Sequence, residues 1–142
     1  MELNTFGAIL RFAMDRENQA AAFYEQAARG SRRGIFLEMA RGARRRLQRL
    51  EQARREGIVE MILEPITGLD SEYYRVEAIP QAGEDDLWQQ ALLLEEAGER
   101  FYRDAAGKMP IREVARIFEQ LARESRSRLE ELRRAELGSE AS

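Results

Sequence analysis

The sequence predicts an all-α protein, a four-helix bundle made of two repeated helical hairpins joined by a long crossover. Three observations carry that reading. Apolar residues recur at three- and four-residue spacings through most of the chain, the signature of helices that bury one stripe. One stretch occurs twice, as Ala13-Met14-Asp15-Arg16-Glu17 through Phe23-Tyr24 and as Ala91-Leu92-Leu93-Leu94-Glu95 through Phe101-Tyr102. Both copies open on Ala, carry Glu four places on and close on Phe-Tyr at one constant interval (95 − 17 = 102 − 24 = 78). A second pair follows, Ile35-Phe36-Leu37-Glu38-Met39-Ala40-Arg41 and Ile117-Phe118-Glu119-Gln120-Leu121-Ala122-Arg123, at a slightly longer interval (117 − 35 = 82). The extra residues then fall in the loop inside the second copy. Finally, Pro65, Gly68, Pro80 and Gly83 interrupt the periodicity only between residues 57 and 84.

The elements follow in order. Thr5 is placed to cap a first helix running to about Arg29, with Gly30 as its stop. Phe6, Ile9, Ala13, Ala20, Tyr24 and Ala27 form its inner stripe. Ser31 is read as the cap of a second helix ending at Glu56, with Phe36, Met39, Ala43, Leu47 and Leu50 inward, which sets the first hairpin at residues 5–56. So short a connection makes the two helices antiparallel. Residues 57–84 are too apolar for a free linker and are expected to strap along the bundle, with a helical turn near Val59-Glu60-Met61-Ile62. Glu84-Asp85-Asp86 supply negative charge at the start of a third helix, which ends at Gly107. Pro110 is read as the first residue of a fourth helix that stops at Gly138, giving a second hairpin at 85–137 and a frayed tail at 138–142.

Composition excludes several kinds of chemistry. The chain has 142 residues, enough for one domain with a buried core. It contains no Cys and no His, which removes thiolate and imidazole both as metal ligands and as catalytic bases. A net charge of −3 gives no bulk attraction to nucleic acid or to an anionic membrane. No signal peptide or membrane-length apolar run is visible, so a cytoplasmic location is expected.

Charged residues fall on the inner stripes. Glu17 lies between Ala13 and Ala20, Glu95 between Ala91 and Gly98, Arg46 between Ala43 and Leu50, and Ser125 and Arg128 between Leu121 and Leu132. A lone charge at such a position is often a boundary residue snorkelling to water. Two acids and two bases at repeat-matched positions point instead to a buried ion-pair cluster of Glu17, Arg46, Glu95 and Arg128, because an unpaired buried charge costs several kcal/mol.

At these residues the chain resembles the rubrerythrin-like branch of the ferritin-like superfamily. The Ala-x-x-x-Glu pattern closing on Phe-Tyr is similar to that family's first and third helices, and the pattern beginning at Phe36 and Phe118 to its second and fourth. The resemblance implies a di-iron centre held by one Glu on each of helices one and three and by a Glu-x-x-His on each of helices two and four. Glu17 and Glu95 match the single glutamates. The Glu-x-x-His positions read Ala43-Arg44-Arg45-Arg46 and Ser125-Arg126-Ser127-Arg128, so the ligand set is degenerate. Arg offers no lone pair and stays protonated, and two fixed positive charges oppose a bound dication. The expectation is therefore a non-catalytic bundle with no metal and no cofactor, acting as a scaffold or partner-binding protein. As family members often do, it would self-associate as a homodimer or higher homo-oligomer.

Three alternatives remain at this stage. Residual iron or manganese chemistry, as an oxidoreductase or iron-handling protein, would use Glu17 and Glu95 with help from Glu38, Glu96, Glu99 or Glu124. Nucleic-acid binding would use the run Arg41-Gly42-Ala43-Arg44-Arg45-Arg46 with Arg49, Arg54 and Arg55 beyond it. A small molecule could occupy the vacated centre.

Overall fold

The computed structural model describes residues 1–56 and 65–141, with side chains to residue 136. Four long helices dominate: α1 (Phe6–Ala27), α2 (Arg33–Arg55), α3 (Glu84–Lys108) and α4 (Arg112–Ala141). No strand is present among the described residues. Helix α1 packs chiefly on α2 and α3 chiefly on α4, with further contact between α1 and α3. Among the described residues no helix is long and apolar enough to cross a membrane.

Helix boundaries follow local turn chemistry, and several differ from the sequence reading. Thr5 does cap α1, its hydroxyl accepting from the Ala8 N–H at 3.0 Å. The helix stops at Ala27 rather than Arg29, because Arg29 is extended and its guanidinium reaches the Ala82 carbonyl at 2.6 Å. Ser31 does not cap α2. Gly30 turns the chain at φ 68°, so Ser31 already lies inside a 3-10 turn (Gly30–Arg32) that feeds directly into the helix. Helix α3 passes through Gly107. Its stop is Met109, held extended by the following Pro110, as residues before proline usually are. Pro110 in turn precedes α4 instead of opening it: Ile111 accepts the first helical hydrogen bond, from Ala115 at 3.0 Å. Gly138 does not end α4, which continues to Ala141, so the frayed tail is helical. A glycine costs a helix about 1 kcal/mol, which weakens it without forcing a stop. Leu47, placed on the inner stripe from its spacing, is only half-buried.

The crossover is strapped down where it is described. The chain before α1 pairs with it through Leu3 N–H to Leu69 O (2.7 Å) and Ile66 N–H to Asn4 O (2.9 Å). Further along, Gln19 donates to Val76 O at 3.0 Å and the Tyr74 hydroxyl to Asp104 at 2.7 Å. Tyr74 and Trp88 are buried while Tyr73 is exposed. The helical turn expected at Val59–Ile62 lies outside the described residues.

Apolar burial is divided in two. One cluster takes Phe6 to Ala13 of α1, Leu50 of α2, Phe101 to Ala106 of α3 and Val114 to Ala122 of α4, with Ile66 and Tyr74 of the crossover. The other takes Ala20 to Ala27, Phe36 to Ala43, Leu87 to Leu94 and Leu132. Between them each helix contributes a polar step instead.

Candidate functional site: a buried carboxylate–guanidinium layer

That polar step contains Arg16 and Glu17 of α1, Arg46 of α2, Glu95 of α3, and Ser125 and Arg128 of α4. Glu17 and Glu95 are each 2% exposed and Arg46 is 4% exposed, while Arg128 sits at the edge of the layer, half-buried. The helical stripe dictates this placement. Apart from Arg16, each of these groups follows an inward residue by three or four positions, so it must point the same way.

The layer holds two matched ion pairs. Arg46 Nε donates to Glu17 Oε2 at 3.0 Å. Arg128 donates through Nε to Glu95 Oε1 at 3.1 Å and through Nη2 to Glu95 Oε2 at 3.3 Å, a two-pronged contact suited to guanidinium and carboxylate. Its Nη2 also reaches the Ser125 hydroxyl at 2.9 Å. Each pair joins the two helices of one hairpin. Two tyrosines then bond across hairpins: Tyr102 donates to Glu17 Oε1 at 2.7 Å and Tyr24 donates to Glu95 Oε1 at 3.2 Å. The arrangement is reciprocal, with each carboxylate taking an arginine from its own hairpin and a tyrosine from the other.

Electrostatics agree with the geometry. Burial pushes the Glu95 carboxyl upward, but the fields of Arg128 and Arg46, the hydrogen bond from Arg128 and the field of Arg16 outweigh it and hold the group below the usual carboxylate range. Burial, followed by the charge of Glu95, drives the Tyr24 hydroxyl well above the usual phenol range. Burial and Glu17 do the same to Tyr102. Arg128 is raised: burial alone would lower it, and the charge of Glu95 more than offsets that. These shifts keep Glu95 negative, Arg128 positive and the Tyr24 and Tyr102 phenols neutral. Each of these four shifts runs away from neutrality, whereas a general acid or base must be poised near it.

A metal centre does not fit this donor set. The carboxylate oxygens are engaged by guanidinium and phenol donors, and the neighbouring inward positions of α2 and α4 hold Ala43 and Ser125, both fully buried, and the two arginines. Among the described residues, no three of His, Cys, Asp or Glu are grouped so as to hold a metal ion. The four supplementary carboxylates are committed elsewhere: Glu38 to Arg41 (2.9 Å), Glu96 to Arg133 (3.1 Å), Glu99 to Arg103 (3.0 Å) and Glu124 to Arg49 (2.9 Å).

The arginine run of α2 is not one continuous basic face. Arg41 pairs with Glu38, Arg44 with Glu25 at 2.6 Å, Arg46 turns inward to Glu17 and Arg49 reaches across to α4. Arg45 is exposed, as are Arg54 and Arg55, which close the last turn of the helix where its dipole favours positive charge. A polar groove of about 520 Å³ runs between α2 and α4 and reaches both Arg46 and Arg128.

Three members of the layer were not singled out from sequence. Tyr24 and Tyr102 lie seven residues beyond their own glutamates, on the same face, but serve the opposite carboxylates. Arg16 is 7% exposed and donates through Nη2 to the Leu94 carbonyl at 2.7 Å. Its one sequence signal is Gly98, a glycine in the interior of α3. A Cβ at Gly98 would come within 2.9 Å of Arg16 Cζ, so the guanidinium occupies the space a side chain would need.

Compared with known proteins, the chain matches no protein-family model and no curated protein.

Proposed function

We propose that this chain is a non-catalytic bundle of ferritin-like, rubrerythrin-like descent, built from two repeated hairpins, in which the di-iron centre has given way to an ion-pair layer. Its role on this reading is that of a scaffold or partner-binding protein that assembles with copies of itself. One observation carries the proposal: the Glu17–Arg46 and Glu95–Arg128 pairs, cross-braced by Tyr102 and Tyr24, at the positions that the resemblance gives to metal ligands. The layer joins all four helices, so it performs the tethering that a metal cluster performs elsewhere, with organic charges alone. Phenols pushed up and a Glu95 carboxylate held down in pKa suit architecture better than turnover.

The test is to restore the absent ligands. The quadruple variant Ala43→Glu, Arg46→His, Ser125→Glu and Arg128→His would place six ligating side chains, four carboxylates and two imidazoles, around the layer, a set able to hold two iron ions. The folded variant is expected to take up iron in stoichiometric amount while the wild type does not. A variant that folds but binds no more iron than wild type would show that these positions do not converge as the resemblance requires.

A further inference from the structure

The layer is not electrically balanced. Arg16, Arg46 and Arg128 bring three positive charges and Glu17 and Glu95 bring two negative ones. The two pairs account for Arg46 and Arg128, and among the described residues no carboxylate forms an ion pair with Arg16. Of the five N–H donors on its guanidinium, one hydrogen bond is made, to Leu94 O, and the buried Nε has no partner. A cation nine-tenths buried with so few acceptors is costly unless something else satisfies it.

Arg16 also lines a cavity. A recess of about 340 Å³ lies between α1 and the crossover, at the lower end of the range for small-molecule sites. Ala8, Phe12, Val76 and Leu94 furnish an apolar wall. The crossover side is fastened by the Gln19–Val76 bond already described and by packing of Tyr74 on Phe12 and Phe101, so the recess is built into the fold. On its polar border Glu72 and Arg75 are paired with each other and Arg11 and Asp15 are both exposed, which leaves Arg16, among the described residues, as the buried, unpaired charge.

We propose that this recess binds an amphipathic monocarboxylate, its carboxylate on the remaining Nη donors of Arg16 and its hydrocarbon part against Phe12, Val76 and Leu94. A carboxylate supplies the one negative charge that the layer lacks, and the apolar wall rewards a ligand with a hydrocarbon body over a hydrated inorganic ion. The site is distinct from the metal-ligand positions, and its charge argument rests on the layer being free of metal.

Octanoate is the probe, with octanol and octylammonium as controls of the same length, titrated calorimetrically into full-length protein whose metal content is measured on the same sample. One octanoate per chain is expected, raising the thermal midpoint, with octanol and octylammonium at least about tenfold weaker because a charge-assisted hydrogen bond is lost. Arg16→Met should erase the preference for the carboxylate. Ala8→Trp obstructs the recess while leaving every residue of the layer unsubstituted, and should abolish binding with the helical circular dichroism unchanged; it decides the matter if Arg16→Met fails to fold. Absence of saturable octanoate binding, equal affinity for octanol, or undiminished binding by Ala8→Trp would each overturn the inference. Where such a failure comes from metal-free protein, the proposed function stands and only the ligand site falls. Iron found in the layer would remove the charge argument and the proposed function together.

Discussion

Arg45 and Arg46 are neighbours in sequence with opposite surroundings. Arg46 is buried on Glu17, so replacing it strands a carboxylate that has been stripped of water, a loss of about 3–5 kcal/mol. Arg45 is exposed, and surface substitutions of that kind stay within about 0.5 kcal/mol. Arg46→Leu is therefore expected to lower the denaturant midpoint sharply and Arg45→Leu hardly at all, as read by urea unfolding; equal losses would mean that neither side chain is enclosed. The inward direction of Glu17, Arg46, Glu95 and Arg128 was legible in the sequence because helical spacing fixes it against Ala13, Ala43, Ala91 and Leu121. The tyrosine bonds were not, since Tyr24 and Tyr102 meet their carboxylates only after the hairpins dock. Arg16 was hidden for another reason: one residue before Glu17, it points about 100° away on the helical wheel, and only the facing helix shows that this direction is also interior.

Between elements, the approach of α1 to α3 depends on a missing side chain. Gly98 is buried, and the Arg16 guanidinium fills the space beside it on its way to the Leu94 carbonyl. In an ordinary helix interior Gly→Ala would stabilise by about 1 kcal/mol. Here the added methyl must displace Arg16 and break its bond to Leu94, so Gly98→Ala is expected to destabilise by about 1–3 kcal/mol. Adding Arg16→Met should recover most of that loss, and a double-mutant cycle on thermal unfolding reads the coupling. Additive effects would show that the two residues do not meet. The helices themselves were readable from their stripes, whereas their ends depended on turn geometry that spacing does not reveal. Gly30 turns the chain so tightly that Ser31 becomes part of a 3-10 turn, and Pro110 acts on the residue before it instead of opening α4.

Across the molecule, the polar layer lies between two apolar clusters and bonds all four helices to one another. Stability should then depend on pH in a defined direction. The Glu95 carboxyl is held below its ordinary value of about 4.3, so its contribution is complete above that pH and is lost as pH falls through the lower folded value. Comparing urea unfolding of wild type and Glu95→Gln at pH 7 and at pH 3 isolates this contribution. The difference between the two proteins is expected to shrink on acidification, whereas a constant gap would mean that Glu95 is not ionised in the fold.

The central claim, that guanidinium and phenol groups occupy the coordination sites of both inner glutamates, is tested most directly by titrating the wild-type protein with Fe(II) and Mn(II) under anaerobic conditions, beside Glu17→Gln. No saturable binding in either protein is the expected result. Two ions per wild-type chain, lost in Glu17→Gln, would contradict it.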